Sequence, residues 1–240
     1  MDCENGVHVL SINDIAYPQR LRAISDPPAT LFVKGDLKAL HALHSLAIVG
    51  TRKPTPYGEK VARKTGATAV REGFSVISGL AVGCDTFGHL GCLEASGLGV
   101  AVLAHGLDMV YPSANQGLAR RLIENGGCLV SEYPVGTRPS RAAFVKRDRI
   151  QSGLSDAVLV IETDVKGGTM HTATFAREQC RPLACIEHPV QWRQASSTKG
   201  TQKLLKDGLA TPIRDGDALT SFLERIKNDG QGPDAEGIVE

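Results

Sequence analysis

Ala47-Ile-Val-Gly-Thr-Arg-Lys53 is an apolar run that stops at a glycine and delivers a hydroxyl and two cations. A strand that ends this way, with a helix after it, is a ready site for a phosphate group. The same arrangement recurs downstream. Phe74-Ser-Val-Ile-Ser-Gly79 and Val100-Ala-Val-Leu-Ala-His-Gly106 are apolar runs closed by glycine loops. Cys128-Leu-Val-Ser-Glu132 and Ala157-Val-Leu-Val-Ile-Glu162 end in polar loops.

Helix signals fill the intervals. Thr55 caps a helix with Pro56 at its first position, and Gly73 stops it. Further helices are expected over 85–96, up to Glu124, over 144–152 and over 170–179, with strands at 46–50, 74–78, 99–104, 128–132, 157–161 and 183–186. Val/Ile/Leu/Ala runs alternating with amphipathic helices predict a doubly wound α/β domain, a mostly parallel sheet with helices on both faces. Right-handed crossovers then line up the strand-to-helix loops along the carboxyl edge of that sheet.

Residues 1–44 read as a short N-terminal arm or edge segment with a strand at 31–33, and 45–214 as the core. Two short helices at 199–207 and 215–228 flank an apolar segment over 209–213, and 229–240 reads as an acidic disordered tail.

Composition narrows the function. The formal net charge is +1, but the tail from Asp229 holds four acids and no base, so residues 1–228 carry 27 Lys/Arg against 22 Asp/Glu. That is a mildly basic body, unlike a dedicated duplex binder. Aromatic residues are few, which argues against a surface built mainly from stacked rings. Six cysteines are scattered without a Cys-x-x-Cys pair, as expected of reduced thiols in a cytoplasmic protein rather than a disulfide or zinc framework. No signal core or membrane-length apolar run is read, and no metal or cofactor is expected.

Four loops carry the candidate chemistry. Gly50, Thr51, Arg52 and Lys53 offer backbone approach, a hydroxyl and a guanidinium fork. Ser78 and Gly79 are expected to add donors beside them; Asp85 reads as a helix cap, and His89 one turn on raises a His–Asp pair. Arg138, Arg141, Lys146, Arg147 and Arg149 form the densest basic stretch, with Lys146 and Arg149 on one helix face. Gly167, Gly168, Thr169 and Thr172 open a helix whose amides and hydroxyls wrap an anion. The first loop lacks the third glycine of a dinucleotide fingerprint, and the next strand end lacks a ribose-binding acid, so NAD fits poorly.

Together these segments resemble the DNA-processing protein A (DprA, also called Smf) family. The resemblance covers about residues 17–210, in order: Tyr17-Pro18, Asp26-Pro-Pro28, Ala47 to Arg52, Val76-Ile-Ser-Gly-Leu-Ala81, Gly106-Leu-Asp108, Tyr111-Pro112, Ser131-Glu-Tyr-Pro134, Arg147-Asp-Arg-Ile150 and Gly153-Leu-Ser155. It implies an extended Rossmann-like domain that binds single-stranded DNA without cutting it, dimerises, and helps load the RecA recombinase in natural transformation. It also implies phosphate contacts at Arg52, Lys146, Arg147 and Arg149, with Gly50, Thr51, Ser78 and Gly79 as local donors. The family's Arg-Asn-Arg appears here as Arg147-Asp148-Arg149, which places a carboxylate among the cations. Neither an N-terminal helical domain nor a C-terminal winged helix is read, as expected of a compact member, and a plasmid or phage-defence setting fits as well as competence. Two alternatives are a nucleotide phosphoribohydrolase-like enzyme, suggested by the Gly-Gly-Thr turn, and a nucleotide-sensing regulator on the same fold.

Overall fold

The computed structural model describes residues 3–4 and 6–229. The parallel core begins with β4 (His44–Val49), whose residues alternate between two covered faces: Leu46 and Ile48 to one, Ala47 and Val49 to the other. Thr55 accepts a hydrogen bond from the Gly58 amide at 3.1 Å and starts α2 (Pro56–Arg71). Gly73, at φ +81°, turns the chain into β5 (Phe74–Ser78). There follow α3 (Cys84–Glu94), β6 (Gly99–Leu103), α4 (Gln116–Glu124) and β7 (Cys128–Ser131). The chain continues through α5 (Arg141–Gly153), β8 (Ala157–Val160), α6 (Thr169–Glu178) and β9 (Leu183–Ile186). It closes with α7 (Lys199–Lys206), β10 (Thr211–Ile213) and α8 (Gly216–Asp229).

Before β4 the chain makes β1 (Cys3–Glu4), β2 (Val7–Ser11), α1 (Gln19–Arg22) and β3 (Thr30–Gly35). The ten strands form one sheet in the order β1-β2-β3-β7-β6-β5-β4-β8-β9-β10. From β7 to β10 every neighbour is parallel, and β3, β2 and β1 add on antiparallel at the β7 side. This is the doubly wound α/β architecture expected from the alternation, in the extended Rossmann-like form that the family resemblance implies. The chain builds outward from β4 through β5, β6 and β7, then returns to β4's other edge with β8, so the winding reverses at the β4/β8 seam.

One face packs α2, α3 and α8 on the sheet through Ala62, Ala69, Cys92, Phe222 and Leu223. The other is covered by α5 through Ile150 and Leu154, by α6 through Ala173 and Ala176, and by the N-terminal segment. Leu10, Tyr17, Leu21 and Leu31 are fully buried there. Residues 1–44 therefore contribute more strand than the one expected, because β2 pairs with β3 residue for residue from Val7↔Lys34 to Ser11↔Thr30.

Several boundaries move. Ser140 accepts from the Ala143 amide at 3.1 Å, so α5 starts at Arg141, three residues ahead of the expected turn. Asp229, assigned to the tail from sequence, is the last residue of α8, and the rest of that tail lies outside the described residues. Cys84, Cys92, Cys128 and Cys185 are buried free thiols, and Cys180 is an exposed one. No helix among the described residues is long and apolar enough to cross a membrane.

Helices α2 and α3 cross at glycines. A Cβ at Gly91 would collide with the Arg63 carbonyl and lie 3.0 Å from the Ala67 amide nitrogen. Backbone has no rotamer with which to yield. Gly91→Val is expected to lower stability by about 1–3 kcal/mol, read as a reduced urea midpoint at unchanged slope. Gly117→Ala in α4, where an added methyl meets nothing within 4 Å, is expected to leave it unchanged or raise it by about 1 kcal/mol at most.

Candidate nucleic-acid interface

The carboxyl edge opens into a cavity of about 510 Å³ at the reversal point between β4 and β8. That is where an open α/β sheet leaves a crevice between loops running to opposite faces. The loop after β4 forms one wall, the loop after β8 and the start of α6 the other, and one face of α5 the floor.

Gly50 is a packing requirement: a Cβ there would lie 2.5 Å from Cys84 Sγ and 3.0 Å from the Glu162 carbonyl. Thr51 ties the loop down. Its amide donates to the Glu162 carbonyl at 2.7 Å, its carbonyl accepts from the Cys84 amide at 3.1 Å, and its hydroxyl accepts from the Lys53 amide at 3.2 Å. The two cations that follow are presented outward. Arg52 is exposed, makes no ion pair among the described residues, and lays its guanidinium 5.1 Å from the Phe144 ring centre. Phe144 in turn meets Tyr111, which is 43% exposed, with 5.8 Å between ring centres. Arg141, one helical turn before Phe144, and Arg138 in the preceding loop are exposed.

The floor is built from groups that sequence reasoning had assigned to the rim. Ser78 is fully buried and donates to the Ile48 carbonyl at 2.6 Å, so it links β5 to β4 and offers nothing to a ligand. The Gly79 amide donates to Asp85 Oδ2 at 3.1 Å, and the space a Cβ would need is filled by the Arg147 guanidinium. Arg147 is 5% exposed and donates to the Val102 carbonyl at 2.6 Å; its Nε lies 3.2 Å from Asp148 Oδ1 without making a hydrogen bond. Gln151 accepts from the Gly79 amide at 2.8 Å and donates to Asp148 Oδ1 at 3.0 Å. Burial pushes the Asp148 carboxyl up to about 6, with Asp85 adding to the rise and Arg147 opposing it. Burial also raises Asp85, against Arg147 and the two amides that cap it. The suggested His89–Asp85 pair does not exist: both His89 nitrogens are unpartnered, and burial lowers the ring to about 3, so it stays neutral.

Two other expected phosphate ligands are committed elsewhere. Arg149 is buried and grips Glu132 with two bonds of 2.7 and 2.8 Å, while its Nε donates to the Asp26 carbonyl at 2.9 Å. Lys146, half exposed, reaches the same Glu132 carboxylate at 3.1 Å. Burial drives Glu132 upward, but Arg149 and Lys146 outweigh it and hold it below the usual range. The shared helix face expected for Lys146 and Arg149 is present; it points at an acid rather than at the cavity.

At the far wall, Gly167 is packed with its Cβ position 2.5 Å from Thr163 Oγ1. The amides of Gly168 and Thr169, at the start of α6, have no acceptor among the described residues. Thr172, buried, lines the cavity near Asp148, whose carboxyl it helps to hold down, and so belongs to the floor. Glu162 is occupied by the Thr55 amide and hydroxyl at 2.9 and 2.5 Å and by Ser197 at 3.0 Å. Glu178 is exposed at the opposite end of α6. No group of three His, Cys, Asp or Glu able to hold a metal occurs among the described residues.

Phe144, Tyr111 and Gln151 were missed. Low aromatic content was a poor guide because it counts rings and says nothing of where the fold gathers them. The Arg141–Phe144 spacing, once α5 is known to be capped by Ser140 and to begin at Arg141, was the available signal.

The profile of the family described as DNA recombination-mediator protein A matches residues 8–224. Protein Smf of Escherichia coli is 38% identical over 201 residues, 84% of this chain and 53% of its own length. The DNA processing protein DprA of Bacillus subtilis is 38% identical over 183 residues, 76% of this chain and 61% of its own. The chain thus spans about half to three-fifths of these relatives. Among solved structures, DNA processing protein A of Helicobacter pylori, described for its single-stranded DNA binding mode, superposes with a TM-score of 0.81 at 28% identity, covering 95% of this chain and 99% of that one. DprA of Streptococcus pneumoniae gives 0.81 at 31%, covering 90% and 74%. A molybdenum cofactor carrier protein of Chlamydomonas reinhardtii, at 0.51 and 14%, shares the fold alone. With the profile covering residues 8–224 and relatives 38% identical over three quarters or more of its length, this chain belongs to the DNA recombination-mediator protein A (DprA/Smf) family.

Proposed function

We propose that the carboxyl-edge cavity binds single-stranded DNA along its phosphate backbone, without sequence preference and without cutting the strand. The observation that carries this reading is Arg52: an exposed guanidinium, in no ion pair among the described residues, set against Phe144 at the mouth of a cavity. Arg52 and the amides at the start of α6 would hold a phosphate, with the Phe144 ring beside Arg52 and Tyr111 next to it. Cation beside ring is the arrangement that suits an unpaired strand, whose bases present faces of any identity. The Helicobacter pylori relative, whose description concerns single-stranded DNA binding, supports it. Lys53, Arg138 and Arg141 extend the positive edge, while Lys146, Arg147 and Arg149 position the floor and α5. We further propose that the protein works as a homodimer in the cytoplasm, handing the strand to a RecA-type recombinase during DNA uptake or recombination.

With about three phosphates neutralised, log affinity against log salt is expected to fall with a slope of roughly −2. Fluorescence anisotropy on a poly-dT oligonucleotide reads it. Arg52→Ala is expected to flatten the slope by about 0.7 as it weakens binding. Phe144→Ala is expected to cost about 1–3 kcal/mol with the slope unchanged. If both variants bind like the parent, the pocket is not the DNA site.

Arg149→Ala should behave in the opposite way. Removing one partner of its buried pair with Glu132 is expected to cost about 3–5 kcal/mol of stability, seen in denaturant unfolding. An Arg149→Ala protein that stayed fully stable yet lost DNA would return Arg149 to the phosphate ligands.

A further inference from the structure

We propose that Asp148 makes strand binding proton-coupled: when a phosphate enters the cavity, the Asp85–Asp148 pair on its floor takes up one proton. This rests on the reading of the cavity as a DNA site and adds the regulation of that site.

The floor sets two carboxylates around one guanidinium, with Asp85, Arg147 and Asp148 exposed by 5%, 5% and 8%. From α5, Arg147 Nε stands 3.2 Å from Asp148 Oδ1, and the Gln151 amide donates to the same oxygen at 3.0 Å. From the loop after β5, the Gly79 and Ala81 amides donate to Asp85 Oδ2 at 3.1 and 3.3 Å. From α6, buried Thr172 lines the cavity near Asp148 and opposes the rise of its carboxyl. Around the mouth stand Arg52, Lys53 and Asp164, all exposed, and exposed His171 lies in the first turn of α6.

With both acids ionised, the floor carries one net negative charge directly beneath the place an anion must enter. One proton removes it. Burial already favours the neutral form, and Asp148 stands at about 6 in the free protein. A bound phosphate adds a further negative charge nearby and raises the pair again, so binding and protonation are linked. The sign follows. An acid whose value rises on binding favours the complex at low pH. Affinity is therefore flat below about pH 6 and falls above it, by at most roughly tenfold per pH unit for a single proton, until the value in the complex is passed.

The test is calorimetric titration of the full chain with poly-dT at neutral pH, in buffers of different ionisation heat. Uptake of up to one proton per bound strand is expected. Asp148→Asn is expected to bind more tightly at neutral pH and to lose both the uptake and the pH dependence. His171→Gln is expected to keep both. Binding without proton uptake by the parent protein overturns the proposal while leaving the DNA site intact. So does a pH dependence that survives in Asp148→Asn and vanishes in His171→Gln. Absence of binding at every pH overturns the DNA site as well.

Discussion

Strand β4 is paired along both of its edges, with β5 on one side and β8 on the other. This double pairing organises the molecule. The loop leaving β4 passes to the α2 face, whereas the loop leaving β8 passes to the α6 face, so the two part over a crevice. The crevice cannot be filled by either loop without breaking the parallel ladder on one side. Whatever binds there meets the Arg52 loop and the first turn of α6 at once. It meets them because of strand order, whatever the residues in those loops.

The second organising element is α5, which divides its charges by face. Arg149 and Lys146 turn to Glu132 and hold the helix against the loop after β7 and the N-terminal segment. Arg147 and Asp148 turn to the cavity floor. Arg147 fits because position 79 has no side chain. A run of cations that reads as one patch along the sequence becomes a scaffold on one side and a recessed, carboxylate-flanked floor on the other. The exposed positive charge that lines the mouth comes from Arg52 and Lys53.

The parallel core was legible because its strands are buried on both faces and so appear as uninterrupted apolar runs; Phe74–Ser78 and Leu183–Ile186 were placed to the residue. β2 was not, because an antiparallel strand near the sheet edge mixes His8 and Ser11 with its apolar residues and carries no such run. Within the site, Arg52 was recoverable from its place after a glycine at a strand end. Ser78, Arg149 and Thr172 were not separable from true rim groups, because their roles depend on Ile48, Glu132 and Asp148, partners 17 or more residues distant in the chain. A side chain's type tells what it can bond, and only the fold tells which bonds are already made.

The two ends of the sheet bear on how the protein behaves in a crowd. At one end β1 is two residues long; at the other β10 is three, and its middle residue is the exposed Pro212. Proline has no amide hydrogen to donate, and so short an edge gives an incoming strand little to pair with. A ten-stranded sheet with long open margins would be a template for further strands. This one is stopped at both margins by brevity and a missing donor, so copies of the chain brought close together are guarded against joining edge to edge.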